Sequence, residues 1–352
     1  MENKITRREF IKGAAVAGVG AYGISSMSLH ALAATSASKS RVVIVDSPNV
    51  LVSSKTNENT IDKLRLKAAG AYDLSIDMKV LMRMVDQAVQ SLTGKRADLA
   101  WKSLFKSTDV VGIKVNCLFG KGASTRPEMV AAVIAGLLTA GVKEDNIIVW
   151  DWRTSHLERA GYWINSDKLG IKCYGTDDNV DAEPTTAGMF KGQLSRILSE
   201  KITALVNVPI LKDHGGAGVT LAMKNHYGSI NNPGDQHGEG GRCNPHLAHL
   251  NSVPAIRNKT RLIVCELLKP LAHGGPGLNR DYVWEHKSIM VGTDPVAIDY
   301  LGWQILEARR KEIGLKSLAE DGREPKWIAT AASMGLGTND PANMQVIRKT
   351  IA

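Results

Sequence analysis

Lysine, histidine and amide side chains crowd into one short segment, residues 212–226. Its candidate site residues are Lys212, Asp213, His214, Thr220, Lys224, Asn225 and His226. Lysines attract anions, and histidine exchanges protons near neutral pH. The intervening glycines indicate a turn whose backbone amides would face an anion at the start of a short helix. The segment therefore predicts a small-anion site in which His214, His226 and Lys224 are the catalytic candidates.

Polar residues also end two apolar runs that have the character of buried strands. Lys114 and Asn116 lie two apart in the run 109–117, hence on one face, and Asp151 ends the run 146–151. Ligands of open parallel sheets bind at the carboxyl ends of the strands, so these three residues are predicted to bind the same substrate. The alternative is structural: a buried lysine costs several kcal/mol unless it is paired, and Lys114 would then form an ion pair with an aspartate.

A second group of potential ligands follows in the chain. His246 and His249 lie three apart, and Pro245 would begin a helix that places both on one face, with Asn244 as its cap. With His237 or Cys243 they form a candidate site for a transition metal. The alternative is a capped helix beneath a loop. The four cysteines lack Cys-x-x-Cys pairs, which argues against a ferredoxin-type iron–sulfur cluster.

The elements that must position these residues are best defined between residues 109 and 151. A strand at 109–117, a glycine-bearing loop, a helix at 126–140 and a strand at 146–151 form a βαβ unit. Thr125 and Glu128 have the spacing of a capping box. Right-handed crossovers of this kind predict an α/β fold with a doubly wound, mostly parallel sheet and helices on both faces.

Two long loops and one further helix complete this prediction. Glycine, histidine, asparagine and proline are frequent between residues 211 and 261 and again over 270–281, and long irregular loops inside a domain are usually functional. Asp294 before Pro295 predicts a helix N-cap with proline in the first turn. Asp299 follows one turn later and is a further site candidate.

Composition narrows the classes of partner. The 352 residues include 44 Lys+Arg against 35 Asp+Glu, a net charge of +9, with 43% hydrophobic residues. The positive charge is spread thinly without a basic run, which argues against nucleic-acid binding and still favours small anions. Outside the N-terminus no stretch reaches the roughly 20 apolar residues of a membrane-spanning helix, so no span is expected in the mature chain.

The N-terminal residues 1–34 resemble a twin-arginine (Tat) signal peptide. Arg7 and Arg8 are followed by Phe10, a mildly apolar stretch over 13–32 and a small-residue cleavage site. The resemblance implies that the Tat translocase exports the folded protein to the periplasm. Residues 35–352 would then form the mature protein, as a single α/β domain.

Several motifs in the mature chain together resemble the bacterial and archaeal family called domain of unknown function 362. They include Val-Gly-Ile-Lys-Val-Asn at 111–116 and further matches at 125–127, 149–151, 209–214, 218–225 and 292–299. The likeness spans roughly residues 41–347. Some family members carry ferredoxin-type cysteine motifs, which this sequence lacks. The family has no settled chemistry, so the likeness implies a fold and not a reaction.

These observations predict an exported periplasmic enzyme that acts on a small anionic substrate at the carboxyl edge of its sheet, assisted by a metal or another cofactor. The alternative is a non-catalytic ligand-binding or accessory subunit of an exported redox assembly, with a redox protein as its partner. Substrate and reaction type stay open at this stage. A third interpretation, a structural protein without a ligand, predicts that Lys114 and Asp151 simply pair.

Overall fold

Ten strands hydrogen-bond into one sheet in the computed structural model, which describes residues 39–52 and 75–352. The predicted signal segment 1–34 lies outside these residues. The strands of the large sheet are β1 Ser40–Asp46, β2 Val111–Val115, β3 Ile147–Trp150, β4 Lys172–Cys173, β7 Ala204–Val208, β8 Ile210–His214, β9 Gly218–Thr220, β10 Thr260–Leu271, β11 Ser288–Gly292 and β12 Met344–Thr350. A separate hairpin joins β5 Thr185–Ala187 and β6 Phe190–Gly192.

The strand order is β12-β1-β11-β10-β7-β2-β3-β4, with β8 also pairing with β10, and β9 with β8. Most pairs are parallel, as predicted. Strand β11 runs antiparallel to both β1 and β10, and β9 runs antiparallel to β8. Only a loop and one 3-10 turn separate β10 from β11, and a parallel return would need a longer crossover, usually helical. The fold is therefore α/β with a mixed, mostly parallel sheet.

Helices cover both faces of this sheet, as the sequence predicts. They are α1 Met78–Thr93, α2 Ala97–Ala100, α3 Pro127–Thr139, α4 Thr154–Ala160, α5 His246–Ser252, α6 Pro254–Arg257, α7 Pro295–Glu312 and α8 Trp327–Ser333. Alternate residues of β1 enter different cores: Val43 and Val45 pack with α1 and α3, whereas Val42 and Ile44 pack with α5, α7 and α8. No helix within 39–52 and 75–352 is long and apolar enough to cross a bilayer.

The predicted capping box at the start of α3 is wrong. Arg126 occupies the N-cap position and makes no side-chain cap. The Thr125 hydroxyl instead donates to the Val208 carbonyl at 2.7 Å and accepts from the Asn116 amide at 3.0 Å. Because these partners lie just past β2 and at the end of β7, Thr125 fastens two strand ends together. Local spacing could not reveal partners so distant in the sequence.

The two aspartates of the Asp294-to-Asp299 segment have different roles. Asp294 caps α7, as predicted, and its carboxylate accepts from the Val296 and Ala297 amides. Asp299 is fully buried and accepts from the Ala222 amide at 2.6 Å and the Met223 amide at 2.9 Å. Burial raises the pKa of Asp299 to about 7. Asp299 therefore anchors the turn that precedes Lys224 and does not face a ligand, which corrects its prediction as a site residue.

Candidate functional site

A cavity of about 280 Å³ opens at the carboxyl ends of β2, β3 and β8. We call it the Lys212 cavity. Seven predicted catalytic or substrate-binding residues line it: Asn116, Asp151, Lys212, His214, Thr220, Lys224 and Asn225. His237, predicted as a metal ligand, lines it too. The parallel strands bring these residues together from positions more than 100 apart in the sequence, because their carboxyl ends meet at one edge.

Lys212 projects from β8 into this cavity and is only 1% exposed. Its Nζ donates to the Asn116 Oδ1 at 3.0 Å and to the Ala123 carbonyl at 2.7 Å, and lies 5.3 Å from the Phe119 ring centroid. Within the described chain no carboxylate lies within 4.0 Å of it. Burial lowers the pKa of Lys212 from 10.5 to about 7, although the Asp151 charge partly opposes this.

Lys224 lines the same cavity from the 3-10 helix that follows β9. Its Nζ lies 3.2 Å from the His237 Nε2 and 4.2 Å from the centroid of the Tyr227 ring. His237 Nδ1 contacts the Pro233 carbonyl at 2.9 Å, so Nδ1 carries the hydrogen and Nε2 accepts from Lys224. Burial lowers the pKa of Lys224 to about 8. The ring face and the imidazole both suit a charged ammonium at this position.

His214 lies at the end of β8, where the glycine turn differs from its prediction. The turn joins β8 to the antiparallel β9 and does not begin a helix. The Gly216 and Ala217 amides donate to the His214 Nδ1 at 3.0 and 3.1 Å, so they are not free to bind an anion. Burial, reinforced by Lys224, lowers the pKa of His214 to about 2. His214 is therefore neutral, with its hydrogen on Nε2, and this does not favour its predicted role as a proton carrier.

Lys114 and Asp151 form the buried ion pair that the structural alternative predicted. Their Nζ and Oδ1 atoms lie 2.6 Å apart, and Lys114 is fully buried. Lys114 also donates to the Val115 carbonyl, while the Asp151 Oδ2 accepts from the Cys117 amide at 2.6 Å. Asp151 borders the cavity but Lys114 does not. The prediction that Lys114 binds the substrate is corrected, because its ammonium already has its partners.

Two further predicted residues lie outside the cavity. His226 is buried with its Nε2 3.3 Å from the Asn207 Nδ2, and burial lowers its pKa to about 3. Asp213 accepts from Arg323 at 2.7 Å and from the Gly275 amide at 3.1 Å, which fastens the loop after β10. Both are held by internal contacts, so the structure does not support His226 as catalytic or Asp213 as substrate-binding. Alternation along β8 sends Asp213 to the face opposite Lys212.

Comparison with known proteins places the chain in a family. A profile described as Domain of unknown function (DUF362) matches residues 111–304, more than half of the chain. The chain belongs to this family. The matched range includes every residue that lines the Lys212 cavity. No curated protein matches the chain.

Two solved structures show a distant likeness to this DUF362 chain. One is a Thermotoga maritima protein from a structural genomics consortium, with 10% identity, a TM-score of 0.43, and coverage of 67% of this chain and 59% of the other. The second is a lactate racemase apoprotein from Thermoanaerobacterium thermosaccharolyticum, with 12% identity, a TM-score of 0.34, and coverage of 60% and 52%. The chain thus spans between half and two thirds of their length.

The predicted metal ligands of this DUF362 chain do not converge. Within 39–52 and 75–352, no three His, Cys, Asp or Glu side chains are arranged to hold a metal ion. His237 faces Lys224, the Cys243 thiol points at the Gly241 carbonyl, and the His249 Nδ1 accepts from the Met189 amide. His246 and His249 lie on one helix, α5, as predicted, but Pro245 is its N-cap and not its first residue, and the Asn244 side chain accepts from Thr330 and caps nothing. The donor set therefore does not fit a transition metal, which corrects this prediction.

Aromatic and apolar residues that the sequence reasoning missed form much of the wall. They are Leu118, Phe119, Trp152, Tyr227, Pro233 and Pro276. Leu118 and Phe119 follow β2 and are 41% and 43% exposed, so they form an apolar rim. Their positions in the sequence could have indicated this, because Phe119 and Trp152 shortly follow the two apolar runs that end near Asn116 and Asp151. Apolar walls keep water from the lysines and sustain their lowered pKa values.

Proposed function

We propose that this DUF362 protein is an enzyme that binds a small anionic substrate in the Lys212 cavity. The observation that carries the proposal is that Lys212 and Lys224 share a buried cavity while Asp151, its one carboxylate, is already paired with Lys114. Buried cations without a counter-ion are costly. A guest anion would supply the missing charge in a site where water screens it poorly.

Each lining group has a definite contribution to such a site. Lys224, beside the Tyr227 ring and His237, holds the anion as a fixed cation. The neutral His214 donates a hydrogen bond from Nε2. Lys212, with a pKa of about 7, exists in both protonation states near neutral pH, and this is the range in which acid–base groups work best. In this proposal Lys212, and not His214 or His226, transfers the proton.

The size of the cavity limits the substrate class. A water molecule takes roughly 30 Å³ of liquid, so about 280 Å³ accommodates on the order of ten non-hydrogen atoms. Small carboxylates and inorganic phosphate fall within this limit. A larger anion such as a nucleotide would have to extend through the open side of the cavity.

Thermal unfolding with small anions tests the binding proposal. Acetate, pyruvate and phosphate are titrated against wild-type protein, Lys224→Met and the control Lys259→Met, whose lysine donates to the Leu198 and Ser199 carbonyls outside the cavity. A ligand at about 100 times its Kd stabilises by about 2.7 kcal/mol. We expect at least one anion to raise the Tm of the wild type and of Lys259→Met but not of Lys224→Met. An equal shift in all three proteins would contradict the proposal.

We also propose that residues 1–34 direct export to the periplasm through the Tat translocase. The support is the sequence alone, with Arg7 and Arg8 ahead of a mildly apolar stretch. Fusion of residues 1–34 to a reporter that folds in the cytoplasm tests it. The reporter should reach the periplasm, and the Arg7→Lys/Arg8→Lys fusion should remain inside. Equal export of both fusions would contradict the Tat route.

A second candidate function is a ligand-binding accessory subunit of an exported redox assembly. The exposed apolar rim of Leu118 and Phe119 favours it, because exposed apolar groups that lie together often mark contact surfaces. Recovery of the protein in fixed stoichiometry with a redox protein, together with anion binding but no turnover, would favour this function over the enzyme.

A further inference from the structure

The hydrogen bonds of Lys212 match those of a neutral amine. A neutral lysine has two N–H groups and one lone pair, whereas an ammonium has three N–H groups and no lone pair. Within the described chain the Lys212 Nζ has two acceptors, the Asn116 Oδ1 at 3.0 Å and the Ala123 carbonyl at 2.7 Å. In the neutral form both N–H groups are used, and the lone pair is left on an atom that borders the cavity.

Its surroundings favour the neutral form. Lys212 is buried and has no carboxylate within 4.0 Å in residues 39–52 and 75–352, in contrast to Lys114 with Asp151 at 2.6 Å. Lys224 adds a second positive charge to the same cavity. These two causes, burial and a nearby cation, are the ones that activate amine nucleophiles in enzymes. Burial, with a smaller contribution from Lys224, lowers the pKa of Lys212 to about 7.

We propose that Lys212 is a nucleophile that forms an imine with the carbonyl carbon of a small 2-oxo acid, whose carboxylate is held by Lys224. This inference rests on the proposed function, since it needs the anion to bind in the Lys212 cavity. It extends that function by naming the substrate class, an anion that carries a carbonyl group next to its carboxylate. A small molecule that carries both the carbonyl and the carboxylate fits within the cavity of about 280 Å³.

Imine formation at Lys212 balances in atoms and in charge. The Lys212 Nζ lone pair forms a bond to the carbonyl carbon, and the carbonyl oxygen takes one proton from the amine to give a carbinolamine. A second proton, taken from solvent at the open side of the cavity, converts the hydroxyl to water, so Lys224 keeps the charge that holds the carboxylate. Water leaves as the C=N bond forms, and the product is a protonated imine. No oxidant or reductant is consumed.

Lys224 is the weaker candidate for the nucleophile. Its Nζ lies against the Tyr227 ring face at 4.2 Å and donates to the His237 Nε2, an environment that favours the ammonium. Lys114 is excluded by its ion pair. The cavity thus contains one lysine suited to attack and one suited to hold the negative charge.

Reductive trapping on the full-length protein tests the inference. Glyoxylate and sodium cyanoborohydride are added near neutral pH, and peptide mass spectrometry measures the initial labelling of every lysine. About half of Lys212 is neutral under these conditions, against roughly one part in three thousand for an ordinary lysine. Because a weaker base is also a weaker nucleophile, we expect labelling about ten- to a hundredfold faster at Lys212 than at exposed Lys102. Lys259, whose pKa burial also lowers, is the control outside the cavity.

The outcomes separate this inference from the proposed function. Selective labelling of Lys212, slowed by acetate and by Lys224→Met, supports imine formation with a bound carboxylate. Labelling of Lys212 no faster than that of Lys259, while anions still raise the Tm through Lys224, overturns the inference and leaves the proposed function standing. If no anion raises the Tm, the proposed function fails as well. The wild-type measurement needs no variant to fold.

Discussion

Replacement of Asp151 by asparagine should destabilise the protein strongly. The carboxylate accepts from the Lys114 Nζ through one oxygen and from the Cys117 amide through the other, both at 2.6 Å. An asparagine has one acceptor oxygen, so its NH2 group would face a donor, and the buried Lys114 ammonium would lose its counter-charge. Breaking a buried pair in this way costs about 3–5 kcal/mol.

Urea unfolding measures this cost, and an exposed pair provides the control. Arg196 and Glu200 form an ion pair with side chains 48% and 52% exposed, and solvent screens such pairs so that they contribute little to stability. Glu200→Gln should therefore shift the urea midpoint little, whereas Asp151→Asn should lower it markedly with an unchanged slope. The double variant Lys114→Met/Asp151→Asn should lose less free energy of unfolding than the sum of the losses in the two single variants.

The reasoning would be refuted if Asp151→Asn cost no more than Glu200→Gln. Such a result would mean that Lys114 does not depend on Asp151 for its charge balance. The distinction between a structural Lys114 and the role proposed for Lys212 would then lose its basis. Lys224→Met, which leaves this pair intact, should show no comparable loss of stability.

Two further predictions follow from the same region. Gly228→Ala should lower the free energy of unfolding by about 1–3 kcal/mol, because the new methyl group would clash with Asp151 and Lys114. The control Gly234→Ala places its methyl group in open space and should leave the Tm unchanged. Wild-type stability should rise with pH between about 7, the folded pKa of Lys212, and its ordinary 10.5, because only the unfolded chain holds the extra proton there. Urea titrations of Lys212→Met across this range should show a smaller rise; an unchanged slope would contradict the lowered pKa.

The location of the Lys212 cavity, the candidate site, could be predicted from sequence because two local regularities define it. Alternation in the apolar run 109–117 predicts Lys114 and Asn116 on one face, and parallel strands end at a common edge. Asn116, Asp151 and Lys212 follow from these regularities without any knowledge of contacts between strands. The same reasoning gave the α/β class, since the βαβ unit is contiguous in sequence.

The role of each lysine could not be predicted in the same way. Lys114 and Lys212 both lie in apolar strands, and their sequence environments are alike. The register of β2 against β3, which pairs Lys114 with Trp150, brings Asp151 next to Lys114. Register depends on side-chain packing across the sheet and is not encoded within either strand.

The predictions of a helix after the glycine turn and of a metal site at the histidines were wrong for a related reason. Strand β9 has only three residues, too few for its period to be recognised, so the chain after Gly216 suggested a helix. His246 and His249 do lie on one helix, α5, but the hairpin turn at Met189 engages His249. A contact between elements about sixty residues apart leaves no trace in local spacing.

The buried ion pair between Lys114 and Asp151 at the sheet edge also determines the electrostatics of the cavity. Asp151 is the one carboxylate among the cavity-lining residues, and both of its oxygens already accept from Lys114 and Cys117. Because its charge is committed to Lys114, it compensates Lys212 only in part. The structural and functional interpretations of these polar strand ends are therefore compatible. The pairing of Asp151 with Lys114 leaves Lys212 and Lys224 without a carboxylate partner among residues 39–52 and 75–352, and the proposed anion binding rests on this feature.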